Sequence, residues 1–194
     1  MAGDDEKALI NAAVNGDDDA FTKIVERYQK PVYNLCYRLL GNHGDAEDAS
    51  QEAFMKAYRG LGKYDLQRPF ISWLLAIAYN LCIDQLRRRR VTWVGLEALF
   101  DRSDPLSRTP EVALEARNEA EGVQKILSTL SVKDRAVVVL RYWYDYSYDE
   151  IAETLSLTNG AVKSRLHRAR RELMGTWNAE QLALGESQNE VSPA

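Results

Sequence analysis

Five lysine or arginine side chains stand within the nine positions Lys163 to Arg171 of the stretch NGAVKSRLHRARREL, in a chain whose formal charge is −4. Cationic groups at this density hold phosphates, and a guanidinium can also pair with the edge of a guanine. The plain alternative for any basic run is a solvated surface helix. What lies opposite the charge decides between the two. With Val162 set at zero on a helical wheel, Leu173, Leu166 and Ala169 fall at about 20°, 40° and 340°. They form a narrow apolar stripe. Gly160, Ser164, His167, Arg168 and Arg171 gather on the far side, with Lys163 and Arg170 on one flank and Arg165 towards the other. A buried seam backed by small, hydrogen-bonding and cationic side chains is more than a soluble surface requires.

The element that must position this helix lies just before it. In SYDEIAETL, Ser147 is followed three residues later by Glu150, which is a capping-box signature. Ala152 is small enough for a crossing helix to approach. The short turn SLT follows, and Thr158 can cap the next helix. A short capped helix, a tight turn and a second helix with a basic outer face make a helix-turn-helix. In such a unit the second helix enters the major groove with its early residues at the base edges. Gly160 would let the backbone come close to DNA.

The rest of the chain bounds the reading. A length of 194 residues suits one medium domain or two small ones, and 45% apolar with 28% charged residues is ordinary for a globular protein. The acidic start MAGDDEKALINAAVNGDDDAF has no signal-peptide core, and FISWLLAIAYNLCIDQL is interrupted by Asn80 and Asp84 and too short to span a bilayer. Cys36 and Cys82 read as buried free thiols. With His43 and His167 they make no metal-ligand spacing, so no cofactor or metal is expected and the compartment reads as cytoplasmic. Positive charge has a second focus: Arg87 to Arg90 dominate residues 61–90, which carry six basic against two acidic side chains. Two basic elements on an acidic body suggest two contacts with one polyanion.

Apolar spacing predicts helices nearly everywhere, hence an all-α fold of two small helical domains joined by a flexible linker. In the first half, Asp19 is the expected cap of a helix carrying Phe21, Ile24, Val25 and Tyr28. Pro31 either kinks it or begins the next, and Val32, Leu35, Cys36 and Leu39 extend the stripe to a stop at Gly41-Asn42. A second helix is predicted from about Asp45 to Arg59, with Ala46, Ala49, Ala53, Ala57 and Leu61 inward. After the turn-rich GLGKYDLQRP comes a third, from Phe70 to about Arg90, with Phe70, Trp73, Leu74, Ile77, Leu81 and Leu86 as candidate core. Residues 91–117, with Pro105 and Pro110, read as the linker. Helices are expected again at about 111–130, 132–144, 148–155 and 159–175, although VVVLRYWY (137–144) has β propensity. The first domain is bounded at 1–90 and the second at 118–178, and 179–194 reads as a disordered tail.

YDYSYDEIAETLSLTNGAVKSRLHRARREL resembles conserved region 4 of the extracytoplasmic-function (group 4) sigma factors. DAFTKIVERYQKPVYNLCYRLLGNHGDAEDASQEAFMKAYRGL and ISWLLAIAYNLCIDQLRRRR resemble their region 2. The resemblance covers about residues 8–90 and 122–175 in the family order. It implies a factor that binds core RNA polymerase through Asp45, Glu47, Asp48, Gln51 and Glu52. Asp48 and Glu52, four apart, would offer clustered carboxylates to a basic surface. It implies −10 contacts at Lys56, Tyr64, Arg68, Asn80, Arg87 and Arg88: a stacking ring, phosphate-binding cations and a carboxamide that both donates and accepts. Trp73 reads as core before base wedge. The −35 element would meet Asn159, Gly160, Lys163, Ser164, Arg165, His167, Arg168 and Arg171. Two positions depart from the usual family pattern, Asn159 in place of a proline and Ala161 in place of a hydroxyl residue. An anti-sigma factor is implied as a further partner.

No nucleophile–base pair or catalytic carboxylate pair is apparent, so an enzyme is not expected. Two rivals remain at this point. One is a stand-alone helix-turn-helix regulator that binds an operator without polymerase, which leaves the acidic helix and Arg87–Arg90 without a task. The other is an adaptor that docks on polymerase and reads no DNA, which leaves the Lys163–Arg171 face without one.

Overall fold

The computed structural model describes residues 2–93 and 122–189, with side chains at 5–89 and 122–176. The expected linker, 91–117, lies almost wholly outside the described residues, as does the end of the tail from residue 190. The described helices belong to two compact units, one built before residue 94 and one after residue 121. Among the described residues there is no strand, and no helix is long and apolar enough to cross a membrane.

The first unit holds α1 (Ala2–Val14), α2 (Asp18–Leu40), α3 (His43–Gly60), a single 3-10 turn (Leu61–Lys63) and α4 (Phe70–Trp93). α1 is an addition to the expected set: its acidic composition masks Ile10 and Ala13, which are buried against the rest of the unit. The cap of α2 is Asp17 rather than Asp19; its carboxylate accepts from the Ala20 N–H at 3.0 Å. α2 runs through Pro31 as one helix. The lost backbone hydrogen bond costs about 3 kcal/mol, and burial of Val32, Leu35, Cys36 and Leu39 beyond it outweighs that. Gly41 ends α2 in the left-handed conformation, φ 76°, where its N–H reaches the Tyr37 carbonyl at 2.8 Å. Asn42 then caps α3, accepting from the Asp45 N–H at 3.0 Å.

α2 packs on α1, α3 and α4, and α3 on α4. Ala46, Ala49, Ala53 and Ala57 line the inner side of α3, so its backbone approaches its neighbours closely. Phe70, Leu74 and Leu81 of α4 are buried as expected, with Leu75 and Ala78, whereas Trp73, Ile77 and Leu86 are half-buried. Cys36 and Cys82 are free, buried and against each other, and their contact with burial pushes the Cys82 thiol far up. They are inert core thiols.

The second unit holds a helix at 122–129 (α5), α6 (Val132–Trp143), α7 (Tyr148–Thr154) and α8 (Asn159–Asn189). The β-prone VVVL segment is helical because Ser131 caps α6, accepting from the Asp134 N–H at 3.2 Å, and residues 134–140 are all buried. Arg135, itself buried, donates Nη2 to the Ser128 and Leu130 carbonyls at 3.2 Å each, satisfying the end of α5. α8 runs to Asn189, past the expected boundary at 178. WNAEQLALGESQN is rich in helix formers and holds no proline, and an interior glycine costs only about 1 kcal/mol.

Candidate nucleic-acid interface

α7 and α8 form the helix-turn-helix. The capping box is present: Ser147 Oγ accepts from the Glu150 N–H at 3.2 Å, and Glu150 Oε2 accepts from the Ser147 N–H at 2.7 Å. Hydrogen bonding to its carboxylate, from the Ser147 hydroxyl first and then from the Ser147 N–H, holds Glu150 below its ordinary range. The turn brings the Leu157 N–H to the Ala152 carbonyl at 2.8 Å, with Ser156 left-handed at φ 53°. Thr158 Oγ1 then accepts from the Ala161 N–H at 3.2 Å and starts α8.

Of the predicted seam of α8, Val162, Leu166 and Ala169 are buried and Leu173 is half-buried. Gly160, Lys163, Ser164, His167, Arg168 and Arg171 are all exposed on the other side. A methyl group added at Gly160 would meet only Thr158 Oγ1, at 4.0 Å, so internal packing does not demand a glycine.

Two residues of the expected −35 set have partners within the unit. Asn159 donates to the Asp149 carboxylate, tying the start of α8 back to α7. Arg165, only 21% exposed at its side chain, donates Nη1 to Asp134 Oδ1 at 2.9 Å. Asp134 is itself 3% exposed, and Arg168 Nε lies 3.4 Å from its other oxygen. On the flank, Arg170 donates Nε and Nη2 to the Tyr142 phenol at 3.1 and 2.9 Å. Asp134 is the residue that sequence reading missed. Its signal was the spacing Ser131-x-x-Asp134, a capping pattern that says nothing about α8.

In the first unit the five expected polymerase residues divide. Asp45 is half-buried, accepting from Arg89 and, at 3.1 Å, from Gln85 Nε2 of α4. Asp48 and Glu52 face a concavity between α3 and α4 that Asp84, Arg88 and Arg89 also line. Glu47 and Gln51 face a different, more apolar groove between α2 and α3, with Val25, Tyr33 and Phe54. Lys56, expected at the −10 element, pairs with Glu52 at 3.3 Å, so the acidic and basic sets share one helix face.

The other −10 candidates are spread over the 61–69 loop and α4. Tyr64 is half-buried in an aromatic cluster, its ring 5.2 Å from Phe70 and 5.0 Å from Trp73, and its hydroxyl donates to the Arg68 carbonyl. Burial, then the charges of Glu6 and Asp65, push its pKa up to about 12. Trp73 belongs to the same cluster, in keeping with the core reading. Arg68 is exposed and lies 3.6 Å from Asp65; Arg87 is exposed, 3.7 Å from Asp84. Asn80 is exposed on α4, where it breaks the apolar stripe.

Comparison with known proteins identifies the family of the two units. The Sigma-70 region 2 model matches residues 24–92, and the Sigma-70 region 4 model matches residues 120–173. The chain is 38% identical over 175 residues to the ECF RNA polymerase sigma factor SigW of Bacillus subtilis, spanning 86% of this chain and 94% of that one. It is 31% identical over 176 residues to the ECF RNA polymerase sigma-E factor of Escherichia coli, spanning 87% and 92%. Among solved structures, CnrH in complex with the cytosolic domain of CnrY is similar with a TM-score of 0.69 and 27% identity, over 90% of this chain and 98% of that one. The sigma factor RpoE of Bartonella quintana, solved with the anti-sigma factor NepR, shares the fold with a TM-score of 0.66 at 22% identity, over 81% and 96%. Two helical units in this order, one ending in an arginine run and one in a helix-turn-helix with an open cationic face, place the chain in the family of ECF RNA polymerase sigma factors.

Proposed function

We propose that this sigma factor docks on core RNA polymerase through α3, opens and holds the −10 element with the 61–69 loop and α4, and reads the −35 element with α8. The observation that carries the reading is the outer face of α8. Five polar, cationic or glycine positions stand exposed opposite a seam of three buried residues, with Lys163 exposed on the flank. Such a face suits duplex DNA, where phosphate contacts set the register and a few side chains reach base edges.

For polymerase docking, Glu47, Asp48, Gln51 and Glu52 are the exposed members of the expected set, and Asp45 supports them from beneath. For the −10 element, Asn80 and Arg87 are open to a single strand and to phosphates, whereas Tyr64 supports its loop. The factor performs no chemistry of its own and needs no cofactor; its compartment is the cytoplasm, where polymerase and promoters are. An anti-sigma partner restrains it by covering the same carboxylates and the exposed apolar side chains Tyr142, Trp143 and Met174. Co-purification from native cells should then yield a stoichiometric inhibitor that competes with core polymerase. Its absence, with activity tracking abundance, would place control in synthesis or turnover.

Run-off transcription tests the main reading. Purified protein with core polymerase should initiate on a narrow set of genomic fragments. Sequence-specific DNA binding without core, and no initiation with it, would favour the stand-alone regulator instead.

A further inference from the structure

We infer that Asp134 is a positioning residue of the −35 interface: its buried carboxylate orients Arg168 towards the promoter, while Arg165 serves as its internal countercharge. The inference rests on the reading of α8 as the −35 reader.

A carboxylate inside a small helical unit is tolerated only when paired and hydrogen-bonded. Asp134, 3% exposed on α6, meets that condition with three groups. Oδ1 accepts from Arg165 Nη1 at 2.9 Å, and Oδ2 accepts from Ser131 Oγ at 2.8 Å. Arg168 Nε lies 3.4 Å from Oδ2. Arg165 and Arg168 are three residues apart on one helix, so both can reach the same acid.

Their exposures separate their roles. Arg165 is 21% exposed and cannot swing out to DNA without stranding a buried charge. Arg168 is 60% exposed, and an ion pair that open adds little to folding. What the contact does supply is orientation. A guanidinium steered at Nε has its terminal Nη groups left over for the two-pronged contact with a guanine edge. Without the anchor a long side chain must be ordered at the moment of binding, which weakens the complex.

The test uses full-length protein with core polymerase on a promoter fragment recovered by run-off transcription, with each −35 base pair substituted in turn. Arg168→Ala should lose discrimination at one position and about ten-fold in affinity. Asp134→Asn should lose discrimination at the same position, several-fold in affinity, and the double variant should be no weaker than Arg168→Ala alone. Should Asp134→Asn fold poorly, Asp134→Asn/Arg165→Gln removes both buried charges and should show the same loss. Retained discrimination in the folded Asp134 variants, or losses that multiply, would overturn the inference and leave the −35 reading intact. Full discrimination in Arg168→Ala would take Arg168 out of base reading and overturn the inference as well.

Discussion

Arg89, near the end of α4, closes its guanidinium on the carboxylate of Asp45 in the first turn of α3. One member of the basic run is thereby committed to the fold, and one member of the acidic motif with it. The side chains are 43% and 18% exposed, so the pair is worth about 1 kcal/mol. Asp45→Ala should therefore lower the melting midpoint by a few degrees and weaken core binding little. Asp48→Lys with Glu52→Lys should do the reverse, setting like charges against a basic polymerase surface while circular dichroism stays native. Unimpaired core binding by the folded double variant would remove α3 from the interface.

Arg165 and Lys163 should separate in the same manner in the second unit. Arg165→Ala leaves Asp134 without its nearer partner, and breaking a buried pair costs about 3 kcal/mol or more. Urea unfolding should show that loss directly. Lys163→Ala removes an exposed cation and should leave stability unchanged within about 0.5 kcal/mol. Its effect belongs in DNA binding: a shallower dependence of affinity on salt, the mark of a lost phosphate contact. An unchanged salt slope would take Lys163 out of the interface.

These contrasts also show what was legible beforehand. The seam of α8, the capping box and the alanine stripe of α3 follow from spacing within one helix, and spacing is local. Arg165 with Asp134 and Arg89 with Asp45 are pairs 31 and 44 residues apart. No periodicity announces a partner at that distance, so exposed and committed arginines looked alike. α1 was hidden for a different reason. Among its described side chains only Ile10 and Ala13 are buried, amid an acidic composition that reads as a tail. Tyr64 shows the converse: an aromatic residue in a polar loop suggests a stacking platform, and only the neighbouring Phe70 and Trp73 rings reveal that it braces the loop.

The capping box should make the second unit acid-sensitive. Glu150 is held below its ordinary value of 4.5 in the folded state, chiefly by the Ser147 hydroxyl and then by the Ser147 backbone. A lowered folded-state value stabilises above the unfolded value and is lost as pH falls through the folded one. Stability of the unit should thus decline below about pH 4.5. Glu150→Gln should remove this part of the decline, and Ser147→Ala should reduce it while costing about 1 kcal/mol at neutral pH as a lost cap. An unaltered acid limb in Glu150→Gln would assign it to other carboxylates.

Asn80 gives the sharpest test of the −10 assignment because the fold makes no visible demand on it. It is exposed in the middle of α4, among positions where Leu81 and Cys82 are buried, and the helix would be at least as stable with alanine there. Any loss of function in Asn80→Ala is therefore not a folding defect, and an unchanged or slightly raised melting midpoint should verify that. A carboxamide donates and accepts at once, which suits an unstacked base whose pairing edge is free. Asn80→Ala should consequently slow promoter opening more than it weakens duplex binding. Comparing a duplex with a premelted template separates two tasks. A defect that shrinks on the premelted template assigns Asn80 to strand capture. A defect that persists, and changes with the identity of one unpaired base, assigns it to reading that base. Wild-type behaviour on both templates would make Asn80 a surface residue of α4 and move −10 recognition to the 61–69 loop.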